Sequence, residues 1–524
     1  MMEYTKKLNF RMGEDEDFCA AERIFSLCSV KEQSEDFILP DYLPDIKKVV
    51  ALFPYSSIKG RFMGSGTLEY EGEVSYRLLY IAEDHSLKSA QFASAFDEKL
   101  GGEDFSEDCV DLIRPLCLNP SVRLLNPRKV NIRSSNGADI KVFKRRCFFP
   151  TLYGARTLDD EQALETQVQT VEGANVLNLR ENGLTLSEDI SFEAAMPTAE
   201  ELVFATAALS VQDCRLLEGE AQIRGVAEVL CLFSAGTGDE NREELLTLRR
   251  SIPFSQTLKN ENLHEGGKCF ALLLPEGMEF RLREDEFGQK RVVEMDVTYL
   301  CDLSAFFEKQ VALCLDAYSL EKETEKNEEK RQFFAPAAQL KGGFSVNESA
   351  TLDLPEEGGY TLFCVFVEPS LHLAEEGKNG RAVLEGECTL SLLLRDSAGA
   401  PDVRRTTLPL RFVTDLPLPE EGAEAQISAK ASGVRCRLDK KVLSVDMEIS
   451  YFGLLLGAKT CRAVDTLRIL PEKRQKTGRR GSVILYYPEK DESLFGIAKK
   501  YGVRPDSLSF EEGGEGAPLM IYCK

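Results

Sequence analysis

The stretch Gly66-Thr67-Leu68-Glu69-Tyr70-Glu71-Gly72-Glu73-Val74-Ser75-Tyr76-Arg77-Leu78-Leu79-Tyr80 decides the fold class. Its pattern recurs at Gly219 to Phe233 and at Gly380 to Leu394: a glycine, five residues, a second glycine, then an alternating run. Counted from the second glycine of each pair (Gly72, Gly225, Gly386), positions +2, +4, +6 and +8 read Val74, Tyr76, Leu78, Tyr80. In the second copy they read Ala227, Val229, Cys231, Phe233, and in the third Cys388, Leu390, Leu392, Leu394. All are apolar, while Glu73, Ser75, Arg77, Glu228, Glu387, Thr389 and Ser391 lie between them. A period of two is the mark of a strand with one face buried. The first glycine suits a turn and the second a bulge or a close backbone approach.

The copies lie about 150–160 residues apart, the spacing of tandem domains and too long for a solenoid repeat. Their flanks agree. Each copy has an entry segment with proline, then the glycine hairpin. Next comes a strand marked by Phe92 and Phe96, by Phe254, or by Phe412. Last is a basic turn into apolar residues at Lys129-Val130, Lys290-Arg291-Val292 and Lys440-Lys441-Val442. Pro40 and Pro44 interrupt regular structure, with a short helix or turn expected after them. Pro115 confines the strand over 110–118 to a sheet edge. The charged run Glu321 to Arg331 reads as an exposed helix or solvated linker. The basic run Pro471 to Arg480 reads as a tether.

The last 43 residues change pattern. Val483 to Tyr487 reads as a strand, and Leu494, Ile497, Ala498 and Tyr501 fall on one face of a helix. Ser493 sits where a helix begins and Gly502 where it stops. A second short helix is expected around Asp506-Ser507-Leu508, and a closing strand over Leu519 to Tyr522. The expected fold is therefore mostly β: three tandem β-sandwich-like modules at 1–155, 156–330 and 331–472, a basic linker at 473–481, and a small α+β (βααβ) module at 482–524. The large modules are expected to form an elongated scaffold.

The chain has 64 basic and 87 acidic residues, a net charge of −23. This argues against nucleic acid or an anionic membrane surface as the main partner, since both require a basic face. No run of 18 apolar residues occurs, so no membrane-spanning helix is expected. The 15 cysteines are scattered, without a C-x-x-C pair, and several lie in apolar strands. They read as reduced core residues of a cytosolic protein, not as a disulfide framework. The chain has three histidines (His85, His264 and His372), each in or beside a predicted loop and none clustered with candidate ligands. No nucleophile elbow, phosphate loop or zinc spacing is present. No catalytic residue, cofactor or metal is expected.

The run Asp491-Glu492-Ser493-Leu494-Phe495-Gly496-Ile497-Ala498-Lys499-Lys500-Tyr501-Gly502-Val503 resembles the first helix of a LysM domain, a family that commonly reads Gly-Asp-Thr-Leu-Trp-x-Ile-Ala-x-x-Tyr-x-Val. Here Asp491 stands at the Gly position, Glu492 at the Asp and Phe495 at the Trp. Phe510-Glu511-Glu512 replaces the usual Asn after the second helix. The phrase Leu39-Pro40-Asp41-Tyr42-Leu43-Pro44-Asp45-Ile46 and the strand ending Leu78-Leu79-Tyr80 resemble the SPOCS domain. Repeated SPOCS domains followed by a LysM look like the morphogenetic proteins of the clostridial spore envelope. The resemblance implies a non-enzymatic scaffold of coat assembly, on the mother-cell cytoplasmic side of the forespore surface. It implies other coat proteins as partners, with the tail docking a coat-basement ATPase. It assigns contact with the partner to Asp491, Glu492, Ser493, Leu494, Phe495 and Tyr501. The alternative use of the same residues is binding of peptidoglycan or another N-acetylglucosamine polymer.

Overall fold

The computed structural model describes residues 16–154, 158–193, 195–236, 243–355, 359–397, 401–417, 422–475, 481–489, 492–510 and 518–522. Its first strands are β1 (Cys19–Ile38), β2 (Ile46–Gly64), β3 (Thr67–Ala82), β4 (Leu87–Gly101), β5 (Val110–Asn126) and β6 (Lys129–Cys147). A short strand β7 (Thr151–Tyr153) and a helix α1 (Leu158–Gln162) lead to β8 (Leu164–Ser191), β9 (Ala199–Leu217), β10 (Glu220–Gly236), β11 (Glu243–Lys259), β12 (Lys268–Glu284) and β13 (Lys290–Ser319). Then follow β14 (Lys322–Thr351), β15 (Thr361–Leu373), β16 (Arg381–Arg395), β17 (Pro401–Pro417), β18 (Glu424–Asp439) and β19 (Val442–Lys473). The chain ends with β20 (Val483–Tyr486), α2 (Leu494–Tyr501), a 3-10 turn at Pro505–Ser507, β21 (Leu508–Phe510) and β22 (Leu519–Tyr522). The protein belongs to the all-β class.

One strand order is built three times. The meanders β2-β3-β4, β9-β10-β11 and β15-β16-β17 are three-stranded sheets centred on the glycine-pair strand. Each faces a second set of three, β1-β6-β5, β8-β13-β12 or β14-β19-β18, in which the strand after the basic turn is central. A pairing of Glu22 with Phe333 joins β1 to β14, and β7 adds in parallel to β19, so two of these sets form one seven-stranded sheet.

The twelve alternating positions are all buried. Val74, Tyr76, Leu78 and Tyr80 pack on Val130, Ile132 and Ile140; Val229, Cys231 and Phe233 on Val293, Met295 and Val297; Cys388, Leu390, Leu392 and Leu394 on Leu443, Val445 and Met447. Gly66, Gly219 and Gly380 have φ of 79°, 76° and 72°, the left-handed turn conformation that admits glycine without strain. The second glycine of each pair makes room. Phe96 and Phe254 lie opposite Gly72 and Gly225 in the ladder, and a Cβ on either glycine would fall 2.2 or 2.5 Å from the facing ring. At Gly386 the obstacle is backbone, the Ser370 carbonyl oxygen at 1.9 Å.

Several expectations are corrected. The run Glu321 to Arg331 is neither helix nor linker: Lys322 opens β14, whose charges find partners in Asp316 (Lys326, 2.8 Å), Glu22 (Arg331, 3.4 Å) and Asp465 (Arg331, 3.0 Å). Ile46 to Val50 begins β2, without a helix after Pro44. The late strands β13 and β19 are single long strands, with bulges such as those at Tyr299/Cys301 and Val464/Thr466. Pro115 does lie on an edge strand, β5.

The three sandwiches are not strung out in an elongated scaffold. They touch pairwise in a closed circuit. Arg77 of the first donates to Ala205 and Met278 carbonyls of the second. Arg249 of the second donates to the Val365 carbonyl of the third. Lys48 of the first meets Asp402 of the third at 3.0 Å, and Glu424 of the third takes both Arg23 and Lys141 (2.6 Å) of the first. At the middle, the outer faces of the meanders bury Leu79, Ile81, Phe204, Leu230, Leu232, Phe366 and Leu393 together. Phe53, Phe204 and Phe366 form a triangle of rings with centroids 5.0, 4.3 and 5.6 Å apart. The signal was available at position +7 of the repeat, which is leucine in every copy (Leu79, Leu232, Leu393) and buried in each. A polar-looking outer face with one invariant leucine is a face with a second partner.

The cysteines divide. Cys231, Cys364 and Cys388 are buried free thiols, as expected of core residues. Cys19 and Cys147, in contrast, form a disulfide. They are ladder partners on β1 and β6 although 128 residues apart, and that register is invisible in sequence spacing.

Candidate functional site: the C-terminal unit and its seat

Ser493 caps α2: its backbone is extended (φ −77°, ψ 147°) and its Oγ accepts from Gly496 N at 3.0 Å. This satisfies one of the free amides of the first turn. Gly502 closes the helix at φ 64°. The expected second helix is only the 3-10 turn Pro505–Ser507, because Leu508 continues directly into β21. The sheet is therefore three-stranded, in the order β20-β22-β21.

The assigned residues do not share one environment. Asp491 lies outside the described residues. Ser493 and Glu492 are structural: Glu492 accepts from the Tyr486 hydroxyl at 2.5 Å and from Glu489 N at 3.1 Å, with Lys500 at 3.8 Å. These bonds, the tyrosine's first, hold its carboxyl below the usual carboxylate range. Tyr501 is half-buried, its ring edge-on to Tyr486 at 5.6 Å. Leu494 is exposed, and Phe495 is buried at 5%.

Phe495 faces the body of the protein. Its ring meets Tyr318 of β13 at 5.1 Å, edge to face. Tyr318 is fully buried in a cluster with Phe495, Ile497, Ala498, Val503, Leu519 and Ile521. Its hydroxyl donates to the Val503 carbonyl at 2.6 Å. Lys499 reaches both oxygens of Asp316 at 2.7 Å. Burial alone would push the Asp316 carboxyl up; the hydrogen bonds from Lys326 and Lys499 outweigh it and hold the group low. Arg474 completes the seat, donating to the Ser319 carbonyl at 3.0 Å and to that of Lys499, with its guanidinium 5.3 Å from the Tyr318 ring. Sequence reasoning missed Asp316, Tyr318 and Arg474, which carry no motif of their own.

The opposite face of the unit is open. Val483 (51%), Leu485 (60%) and Tyr487 (68%) are exposed, and Tyr522 stands opposite Val483 on β22. β20 is an edge strand.

Among the described residues no cluster of three or more His, Cys, Asp or Glu side chains could hold a metal ion. No helix among them is long and apolar enough to cross a membrane. No protein-family model matches the chain, and no similar curated protein or solved structure is found.

Proposed function

We propose that this chain is a non-catalytic scaffold and adaptor of spore-envelope assembly, acting on the cytoplasmic mother-cell side of the forespore surface. In this reading the three sandwiches are SPOCS-like units forming a rigid body, and the LysM-like tail is the module that docks another coat morphogenetic protein. The observation that carries it is the way the tail is held. It is a separate small sheet, seated by side chains on one face, with an apolar face and an edge strand turned outward. An open edge of this kind is a template for a partner's strand. The acidic surface and the repeated architecture suit a protein that works by contact.

The test is recovery of coat proteins from sporulating cells with the full chain and with a chain ending at residue 481. The tail-less chain is expected to lose its partner. Equal recovery by both refutes the adaptor role. Binding to peptidoglycan is the competing use of the tail, and co-sedimentation with purified sacculi would support it. Phe495, which the resemblance assigns to either ligand, is covered by Tyr318, so in both readings contact falls to the exposed side chains of the unit.

A further inference from the structure

Where the first two sandwiches meet they leave a cavity of about 350 Å³, within the usual range for small-ligand sites. Its walls are Arg77 and Gln91 of the first meander, Ala205 of β9, and Met278 and Phe280 of β12, with Tyr42 at its rim. Tyr42 is 84% exposed, yet its loop is fixed. Arg128 ties that loop through the carbonyls of Leu39 (3.2 Å), Pro40 (3.1 Å) and Leu43 (3.3 Å) and the carboxylate of Asp45 (2.7 Å).

The guanidinium of Arg77 is the unusual feature. Its two terminal nitrogens bridge the units by donating to the Ala205 and Met278 carbonyls. Its Nε–H is buried and has no acceptor. Among the described residues no carboxylate pairs with it; its other neighbours are the Tyr55 hydroxyl, a hydrogen-bonding partner, and the Phe280 ring, whose centroid lies 5.6 Å from the guanidinium carbon. The acid and base that also line the cavity, Glu279 and Arg281, are paired with each other at 2.5 Å. A desolvated cation without a counter-charge is costly, and carbonyl dipoles offset only part of that cost. We propose that the cavity is a carboxylate site, with Arg77 as its receptor. The ligand is either a free polycarboxylate or an acidic side chain of a peptide segment, and the two share one chemistry.

The register supplies a direct test. Gln91 is the cross-strand partner of Arg77 and is exposed, so Gln91→Glu places a carboxylate beside the guanidinium without disturbing the core. Thermal unfolding of the full chain is followed with sodium chloride, citrate or acetylated hexaglutamate amide at matched ionic strength. A protein of net charge −23 repels anions in general, so a specific response stands out. A saturable rise in Tm over chloride is expected: with citrate alone for a small-molecule site, with hexaglutamate alone for a peptide site, and with both if the carboxylate is the whole determinant. Gln91→Glu is expected to melt higher than wild type without ligand and to lose the response. Arg77→Lys, which keeps the charge but loses the Nε–H, is expected to weaken it at least about tenfold. The proposal falls if neither anion exceeds chloride, if Gln91→Glu responds as wild type does, or if Gln91→Glu is the less stable protein.

Discussion

Replacing Phe204 by alanine tests the closed arrangement of the three sandwiches. The side chain is 2% exposed and touches Phe53 and Phe366, at 5.0 and 5.6 Å between centroids, one from each neighbouring unit. A buried Phe→Ala change costs about 3–5 kcal/mol, and each aromatic pair contributes about 0.5–1.5 kcal/mol of this beyond area burial. The shift in Tm reads the size of the block that melts. With about 2.1 cal/mol/K of unfolding entropy per residue, roughly 450 residues melting together carry about 1 kcal/mol/K, so a loss of about 4 kcal/mol lowers Tm by about 4 °C. A single unit of roughly 150 residues melting alone would fall by about 12 °C and leave the other two behind. The closed circuit predicts the first outcome, one transition moved by a few degrees. Scanning calorimetry gives the temperatures and far-ultraviolet circular dichroism the cooperativity; the chain contains no tryptophan to report by fluorescence. Pairing the change with Phe366→Ala should show coupling of at least about 0.5 kcal/mol, since the rings are in contact. A shift below about 1 °C, or strict additivity of the two changes, refutes the packing argument.

Further outcomes are expected elsewhere. Asp316 is held low in the folded protein, so its contribution to seating the tail is present above the ordinary carboxylate pKa of about 3.9 and is lost as pH falls through the lower folded value. Protection of the α2 amides, taken relative to their intrinsic exchange rate at each pH, should therefore fall in acid, and Asp316→Asn should lower it already at neutral pH, by about 1.5–3 kcal/mol of opening energy. Gly386→Ala should destabilise by about 2–3 kcal/mol or more and Gly72→Ala by less, because a Cβ at Gly386 strikes a backbone oxygen whereas the Phe96 ring can shift; urea midpoints compare them. Reducing the Cys19–Cys147 bond, which closes a loop of 128 residues, should cost about 4–5 kcal/mol by the chain-entropy argument. A reductant should lower the urea midpoint of the wild type and leave that of the Cys19→Ala, Cys147→Ala double variant unchanged.

The buried face of each meander is legible in the sequence because alternation is a local property, and the strand fixes which residues share a face. The turn glycines and the phenylalanines opposite Gly72 and Gly225 are legible for the same reason. What escapes is whatever depends on a partner distant in the chain. Glu321 to Arg331 is as charged as a linker, and only the strands beside it supply Asp316, Glu22 and Asp465 to make those charges acceptable in a sheet. The outer face of β3 looks polar through Glu73, Ser75 and Arg77, yet Arg77 is spent on carbonyls of the next unit. Of the candidate site, Ser493 and Gly502 are readable as caps, since capping is set by adjacent residues. That Phe495 faces inward is not readable, because its cover, Tyr318, belongs to another unit and carries no signal of its own.

The Phe53–Phe204–Phe366 triangle also bears on how such a chain can evolve. Repeats that stack in a line can gain or lose a copy at either end, with only a cap to replace. Here each unit already has both neighbours, and the last contact returns to the first through Lys48 and Arg23. An in-frame deletion of one unit would leave two surfaces without a match, and a fourth would have no place to enter. The copy number is thus locked by geometry, and relatives built on this plan should vary in loops and tails while keeping three.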